Sequence, residues 1–262
     1  MPEHNHWRFD VQEHIATITL NRPDQTNRLV PETFFELGQI TEHLAGDNDI
    51  WVVILQGEGD HFSIGVDIEV IHQMLDLDDS TFRESLLEMQ KCLDTFEALR
   101  KPTIAKLHGF CLGGGLILAL CCDFRIASER TVFGLPEVKR GIPVIMGTQR
   151  LTRIVGPHKT KEMVLLGRNY QASAAEGFGL VHKVVPPDAL EEATARFANQ
   201  FLAIPPRTVG AAKYIIDAGF HLQLRESQDL EIEVQAEIMD SPDLREAVVS
   251  FLEDRPPHYI GR

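Results

Sequence analysis

Residues 101–128, KPTIAKLHGFCLGGGLILALCCDFRIAS, carry the strongest structural signal in the chain. The opening KPTIAKLHG is typical of a strand that leaves a proline turn. CLGGGLILALCCD then passes from glycines into a long apolar run without charge, which predicts a buried helix. FRIAS and the residues after it add two short strands around a turn. A strand, a buried helix and further strands in this order indicate an α/β protein.

The residues before this segment continue the alternation of strands and helices. HIATITLN (14–21) alternates apolar and polar residues as a half-buried strand does, and WVVILQG (51–57) is a short apolar run typical of a buried strand. Between them, residues 31–44 have helical spacing of apolar side chains, and further helices are predicted near residue 68 and over 81–99. These units predict strands joined by helices on one sheet.

The last third of the chain is mainly helical. The segment AIPPRT, residues 203–208, contains two consecutive prolines that interrupt a helix. It predicts a boundary between a core of residues 1–200 and a helical C-terminal region of residues 201–262. TVGAAKYIIDAGF (208–220) is amphipathic, which suits packing against a neighbouring subunit or against the protein's own core.

Composition excludes several classes of protein. The formal net charge of −14 argues against a general nucleic-acid surface. Four cysteines without a paired spacing predict buried free thiols and no metal site, in a reducing compartment that is most simply the cytoplasm. The N-terminus lacks the order of a signal peptide, and no apolar stretch is long enough to predict a membrane span.

Two glycine-bearing segments offer sites for chemistry. HFSIGVD (61–67) follows a strand, and GFCLGGGL (109–116) precedes the apolar helix. Consecutive glycines let the backbone approach a ligand and leave amide N–H groups free, next to the positive end of a helix dipole. Such amides can stabilise a developing oxyanion, although each loop by itself is equally consistent with a tight turn. Neither loop has the spacing of a phosphate-binding or dinucleotide-binding motif.

Four segments resemble the motifs of the crotonase (enoyl-CoA hydratase/isomerase) superfamily, in the order in which that superfamily has them. NRPDQTNRL (21–29) resembles NRPxxxNAL, and HFSIGVD resembles the oxyanion loop F-S/C-A-G-x-D. Residues 101–128 resemble KPxIAAVxGxAxGGGxELAxxCDxRIAS. FGLPEVKRGIPVIMGTQRL (133–151) resembles FxxPEVxLGxxPGxGGTQRL.

This resemblance implies a crotonase-like spiral of ββα units with a helical C-terminal region, assembled as a homotrimer or homohexamer. The substrate would be an acyl-CoA thioester, and coenzyme A would enter only as part of it, with no separate cofactor. The thioester oxygen would be held by the backbone amides of Val66 and Gly114. Of the two glutamates that hydratases of the superfamily use, the second matches Glu137, whereas the first falls on Ile117.

Two further departures accompany Ile117. The segment GIPVIMG (141–147), with the loop PVIMG (143–147) that contains Val144, is one residue shorter than the GxxPGxGG of the superfamily and bulkier, and Ile64 replaces alanine in the first loop. A hydratase places a water between two carboxylates, so these changes predict a drier site. A single carboxylate in an apolar pocket has a raised pKa and can move a proton between carbons.

Three functions follow from these residues. The first is isomerisation of an enoyl-CoA double bond, with Glu137 as the only acid/base group. The second is hydration, or another lyase, hydrolase or decarboxylase reaction of the superfamily, with Glu137 and a different partner; His61 and His108 are candidates, although structural roles suit both better. The third is acyl-CoA binding without catalysis.

The remaining candidates concern substrate binding. Arg22 and Arg28 flank the turn after the first strand, in the segment that the superfamily lays along the CoA nucleotide, so either can meet a phosphate; a solvated surface role suits them equally. Ile64, Ile117 and Val144 are expected to line the substrate-binding pocket around the reacting atoms. Asp67 is expected at the first loop, where ordering of the backbone suits it better than chemistry.

Overall fold

The computed structural model describes residues 4–262, so the first three residues of the predicted core lie outside it. The strands are β1 (Trp7–Gln12), β2 (Ile15–Leu20), β3 (Val52–Gly57), β4 (Thr103–Leu107), β5 (Phe110–Leu112), β6 (Phe124–Ser128), β7 (Val132–Gly134), β8 (Asn169–Gln171) and β9 (Lys183–Val185). The helices are α1 (Pro31–Gly46), α2 (Ile68–Met74), α3 (Asp79–Glu97), α4 (Gly114–Leu120), α5 (Thr148–Leu166), α6 (Ala172–Gly177), α7 (Leu190–Leu202), α8 (Pro206–Gly219), α9 (Leu224–Ile238) and α10 (Pro242–Leu252).

Two sheets organise these elements. The larger has the order β1-β2-β3-β4-β6-β9 and is parallel except for β1 against β2. The smaller has the order β5-β7-β8. The chain runs strand, strand, helix as β1-β2-α1, β4-β5-α4 and β6-β7-α5, which is the expected spiral. The prediction of an α/β fold of ββα units is therefore confirmed.

The larger sheet is buried on both faces. Along β3, Val53 and Leu55 belong to the main core, whereas Val52 and Ile54 belong to a second cluster beneath α7. A continuous apolar run is what a parallel strand with two covered faces requires. The main core also contains α4, all of whose residues are buried, as the uncharged sequence of that helix predicts.

The C-terminal helices form a smaller layer. α8 and α9 pack against each other around a small apolar cluster that includes Ala211, Val234 and Ile238. Asp123, at the turn after α4, accepts a hydrogen bond from the Thr103 amide at 2.8 Å and pairs with Lys213 of α8 at 3.0 Å. The predicted boundary near residue 200 stays a prediction; the structure has the break between α7 and α8 there. No helix within residues 4–262 is long and apolar enough to cross a bilayer.

Candidate active site

A cavity of about 390 Å³ opens where the two glycine loops meet α2, α3 and the segment after β7. Within residues 4–262, Glu137 is the only carboxylate that lines it, and Arg28 and Arg140 are the only basic residues. The full lining is Arg28, Val30, Pro31, Phe34, Ile64, Gly65, Val66, Ile68, Val70, Ile71, Met74, Leu86, Met89, Leu93, Gly113, Gly114, Ile117, Pro136, Glu137, Arg140, Ile142, Pro143, Ile145 and Met146. The cavity is thus an apolar space with one acid.

The two glycine loops touch backbone to backbone at the cavity wall. A Cβ atom on Gly65 would lie 3.1 Å from the amide nitrogen of Gly114, and one on Gly114 would lie 3.3 Å from the amide nitrogen of Val66. Neither of these amides donates a hydrogen bond within the described part of the chain. Two neighbouring free N–H groups in residues that line one cavity are the arrangement that an oxyanion requires.

The sequence of the loops enforces this contact. Gly65 has φ +98°, and Ser63 fixes its amide by accepting a hydrogen bond at 3.1 Å while donating one to the Asn27 carbonyl at 2.6 Å. A Cβ atom on Gly115 would lie 2.6 Å from the Cβ of Ser63, so any side chain there would push the loops apart. Glycine is needed at Gly65 for its backbone angle and at Gly115 for close approach.

Glu137 stands beside these amides on a 3₁₀ turn, Pro136–Arg140, after β7. Its Oε1 would lie 3.1 Å from a Cβ atom on Gly113, and its Oε2 is buried without a hydrogen-bond partner among the described residues. Burial raises the pKa of the Glu137 carboxyl, opposed by a backbone hydrogen bond and by the charge of Arg140. A carboxyl with a raised pKa and a free oxygen suits proton transfer near neutral pH.

Ile117 and the following wall keep this part of the cavity apolar. Ile117 is 8 % exposed, and its Cγ1 would lie only 2.5 Å from a Cβ atom on Gly147. Met146, a non-glycine residue with φ +61°, lines the cavity together with Ile142. These residues provide no side-chain oxygen or nitrogen that could accept a hydrogen bond from a water molecule.

Val144 belongs to the hydrophobic core and lies outside the cavity lining, whereas Pro143, Ile145 and Met146 line the cavity. The assignment of Val144 as a substrate-binding residue therefore gains no support from this cavity and stays a prediction. Ile64 and Ile117 do line the cavity, as expected.

The polar residues near the first loop divide into two groups. Arg28 lines the cavity, and its Nη1 lies 3.5 Å from Oδ2 of Asp67. Asp67 is outside the lining and caps α2, because its Oδ1 accepts a hydrogen bond from the Glu69 amide at 3.2 Å. Arg22 is also outside the lining and donates hydrogen bonds to the Arg28 carbonyl and to the Gln25 side chain. Asp67 and Arg22 therefore order the loops.

Neither histidine candidate reaches the cavity. His108 Nε2 lies 2.8 Å from the Gly59 carbonyl oxygen, and burial lowers the pKa of this imidazole. His61 Nδ1 accepts a hydrogen bond from the Phe110 amide at 3.3 Å. Both histidines lie outside the residues that line the cavity, so neither stands in for the carboxylate absent at Ile117.

Sequence reasoning missed Arg140. Residues three apart on a 3₁₀ turn lie on one face, so Arg140 and Glu137 line the same cavity. The side chain of Arg140 makes no hydrogen bond or ion pair with another residue in the range 4–262. A signal was present, because the motif PEVxLG has leucine at this position.

Comparison with known sequences agrees with this geometry. Residues 10–262 match the model of the family described as enoyl-CoA hydratase/isomerase. The chain belongs to the enoyl-CoA hydratase/isomerase family. The superfamily resemblance inferred from the four motifs is therefore confirmed, and so is the expectation of an enzyme.

Individual members of this family are similar over nearly their whole length. The chain is 34 % identical to a short-chain-enoyl-CoA hydratase of Clostridium acetobutylicum, covering 97 % of each protein, and 34 % identical to a crotonyl-CoA hydratase of Syntrophomonas wolfei, also covering 97 % of each. The crystal structure of an enoyl-CoA hydratase from Bacillus anthracis is 32 % identical, covers 98 % of this chain and 100 % of that one, and superposes with a TM-score of 0.91.

Proposed function

We propose that the protein moves the double bond of an enoyl-CoA between the 3,4 and 2,3 positions. The observation that supports this most is that, of residues 4–262, Glu137 alone brings a carboxylate to the cavity, and its Oε2 is buried without a partner among these residues. A double-bond shift needs one group that accepts a proton and returns it. It needs no water.

The proposed mechanism uses two parts of the site. The carboxylate of Glu137 accepts a proton from C2 of the 3-enoyl thioester, and the electrons of the broken C–H bond delocalise over the diene onto the thioester oxygen. The amides of Val66 and Gly114 donate hydrogen bonds to that oxygen. Protonated Glu137 then returns the proton to C4, and the double bond forms between C2 and C3. Each free amide in such a site typically contributes about 3 kcal/mol to the barrier reduction.

Hydration of a 2-enoyl-CoA is the second candidate, and the names of the relatives favour it. Both curated relatives cited above carry the name hydratase. The reaction adds a water oxygen to C3 and a proton to C2. Glu137 would have to hold the water alone, because Ile117 presents a hydrocarbon side chain to the same cavity.

Product masses separate these reactions. Purified protein is incubated with 3-enoyl-CoA and, separately, with 2-enoyl-CoA, and Glu137→Gln serves as the control. A product of unchanged mass from the 3-enoyl substrate, absent with the variant, supports isomerisation. A product heavier by one water from the 2-enoyl substrate, without isomerisation, replaces the proposal by hydration. Binding of both thioesters without turnover would leave the third hypothesis, acyl-CoA binding without catalysis.

We also propose that the protein assembles as a homotrimer or homohexamer through its C-terminal helices. The supporting observation is the exposure of large apolar side chains on α8, directly after it and on α10: Ile216 is 70 % exposed, Phe220 67 % and Phe251 84 %. Exposed apolar surface of this kind is typical of subunit contacts. Light scattering of the full chain tests this, since a monomeric mass at micromolar concentration would contradict it.

A further inference from the structure

We propose that the cavity floor formed by Phe34, Met89 and Leu93 selects uncharged acyl chains of medium length. The inference rests on the proposed action on enoyl-CoA thioesters and adds to it the class of acyl group. It also separates this chain from the relatives whose names refer to short-chain and crotonyl substrates.

The burial of the lining residues gives the cavity a mouth and a floor. At the mouth, Ile68 is 50 % exposed and Ile145 44 %. At the other end, Phe34, Met89 and Leu93 are at most 5 % exposed, where α1 packs against α3. An acyl chain that has its thioester at the glycine loops therefore has an apolar space to enter, which ends against side chains of these two helices.

The distribution of charge limits what this space accepts. The charged residues that line the cavity, within the described chain, are Arg28, Glu137 and Arg140, and none of them belongs to α1 or α3. A carboxylate or hydroxyl at the far end of the acyl group would lose its hydration without a partner there. The floor consequently favours hydrocarbon.

The volume of the cavity exceeds what a four-carbon acyl group fills. A methylene group occupies somewhat less than the share of liquid volume of one water, roughly 30 Å³, so 390 Å³ has room for about a dozen or more such groups. After the thioester atoms are placed, a chain of about eight to ten carbons fills this space. A crotonyl group would leave the floor empty.

The cavity lining, including the floor residue Met89, is also adaptable. Three of the six methionines of the chain, Met74, Met89 and Met146, line this cavity. Methionine is unbranched and flexible, so it fills irregular gaps around ligands of different length. We therefore expect a broad optimum over neighbouring chain lengths.

The test is a series of straight-chain substrates. Values of kcat/KM are measured for 3-enoyl-CoA and 2-enoyl-CoA of four to twelve carbons, and affinities for the saturated acyl-CoA of the same lengths are measured by calorimetry. Each added methylene that is buried should raise kcat/KM about fourfold. The increase from four to eight carbons is then on the order of a hundredfold.

A larger side chain at the cavity floor should shift the acyl-chain length with the highest kcat/KM to shorter chains. Met89→Trp is expected to lower kcat/KM at least tenfold for eight and ten carbons and to leave four carbons within about threefold. Val70→Phe, placed on α2 at another part of the wall, gives a second plug if the first variant does not fold. Leu87→Trp is the matched control, because Leu87 is on α3, 64 % exposed and outside the lining.

Failure of the chain-length inference and failure of the proposed reaction would give different results. An optimum at four carbons, or an equal loss at every length in both plugged variants, would overturn the chain-length inference while leaving the proposed reaction in place. Absence of turnover at every length would overturn the proposed reaction. The calorimetric series would still decide the chain-length inference. Equal affinity for acyl chains of four to twelve carbons would refute that inference.

Discussion

Two walls of the cavity differ in how closely they follow the motifs of the family. The wall made by the glycine loops keeps Gly65, Gly114 and two free amides. The adjoining wall has Glu137 together with Ile117 and a shortened apolar loop. Under the proposed function, the first wall would bind the thioester oxygen and the second would decide which reaction follows.

Removal of the acid should have the largest effect. Glu137→Gln is expected to lower kcat by about 10²–10⁴, the usual contribution of a positioned acid/base group, with little change in acyl-CoA affinity. Steady-state kinetics and calorimetry measure the two quantities. Glu129→Gln removes an exposed charge and is the control. An unchanged kcat in Glu137→Gln would remove Glu137 from the mechanism.

The same variant should also differ from the wild type in how its melting temperature depends on pH. Because burial raises the pKa of Glu137 above its ordinary value of 4.5, ionisation disfavours the folded state, and this cost develops as the pH rises from that value through the folded pKa. The melting temperature of Glu137→Gln should therefore rise relative to that of the wild type as the pH increases above 4.5. A relative fall above that pH would mean that the ionised carboxylate is stabilised in the fold.

Distortion of the wall made by the glycine loops should lower kcat nearly as much. Gly115→Ala places a Cβ against Ser63 and should separate the loops, lowering kcat by about 10²–10³, as loss of one oxyanion donor does. Gly46→Ala is the matched control, since a Cβ there meets nothing within 4 Å. Equal kinetics in the two variants would contradict the oxyanion role of the loop.

Introducing a carboxylate at residue 117 tests whether the apolar wall around Ile117 limits hydration. Ile117→Glu should raise hydration of 2-enoyl-CoA by about 10²-fold, because a second carboxylate gives water an acceptor. Ile117→Gln has nearly the same shape without the charge and is the control. If hydration does not rise in Ile117→Glu, the shortened loop of residues 143–147 also excludes water.

Substitution of Arg140 is expected to have the smallest effect on kcat/KM. Its charge favours ionisation of Glu137, so Arg140→Leu should raise the Glu137 pKa and shift the rising limb of the kcat/KM profile to higher pH, with a loss below about tenfold on that limb. Lys139→Leu makes the same change of charge outside the cavity. Identical pH profiles for the two variants would show that Arg140 does not act on Glu137.

The sequence predicted the parts of the molecule that are local. The strand at residues 51–57, the buried helix that became α4 and the two glycine loops all follow from periodicity and glycine placement. Strand β5 was not predicted, because its three residues pair with β7, which follows later in the chain. β1 was also not predicted; its exposed residues alternate weakly with buried ones.

The candidate site divides in the same way. Glu137, Val66 and Gly114 were found because short motifs carry them. The floor residues Phe34, Met89 and Leu93 were not found, because their meeting depends on how α1 packs against α3. Val144 lies in the core while Pro143, Ile145 and Met146 line the cavity, and sequence alone does not give the direction of each side chain in an irregular loop.

The most direct test of the single-acid account is the ratio of two initial rates on one preparation of enzyme. Isomerisation of a 3-enoyl-CoA and hydration of the 2-enoyl-CoA of equal length are followed at pH 7 by mass and absorbance. The account predicts that isomerisation is at least tenfold faster and that both activities vanish in Glu137→Gln. Hydration faster than isomerisation would contradict it and would mean that Glu137 holds the water without a second carboxylate.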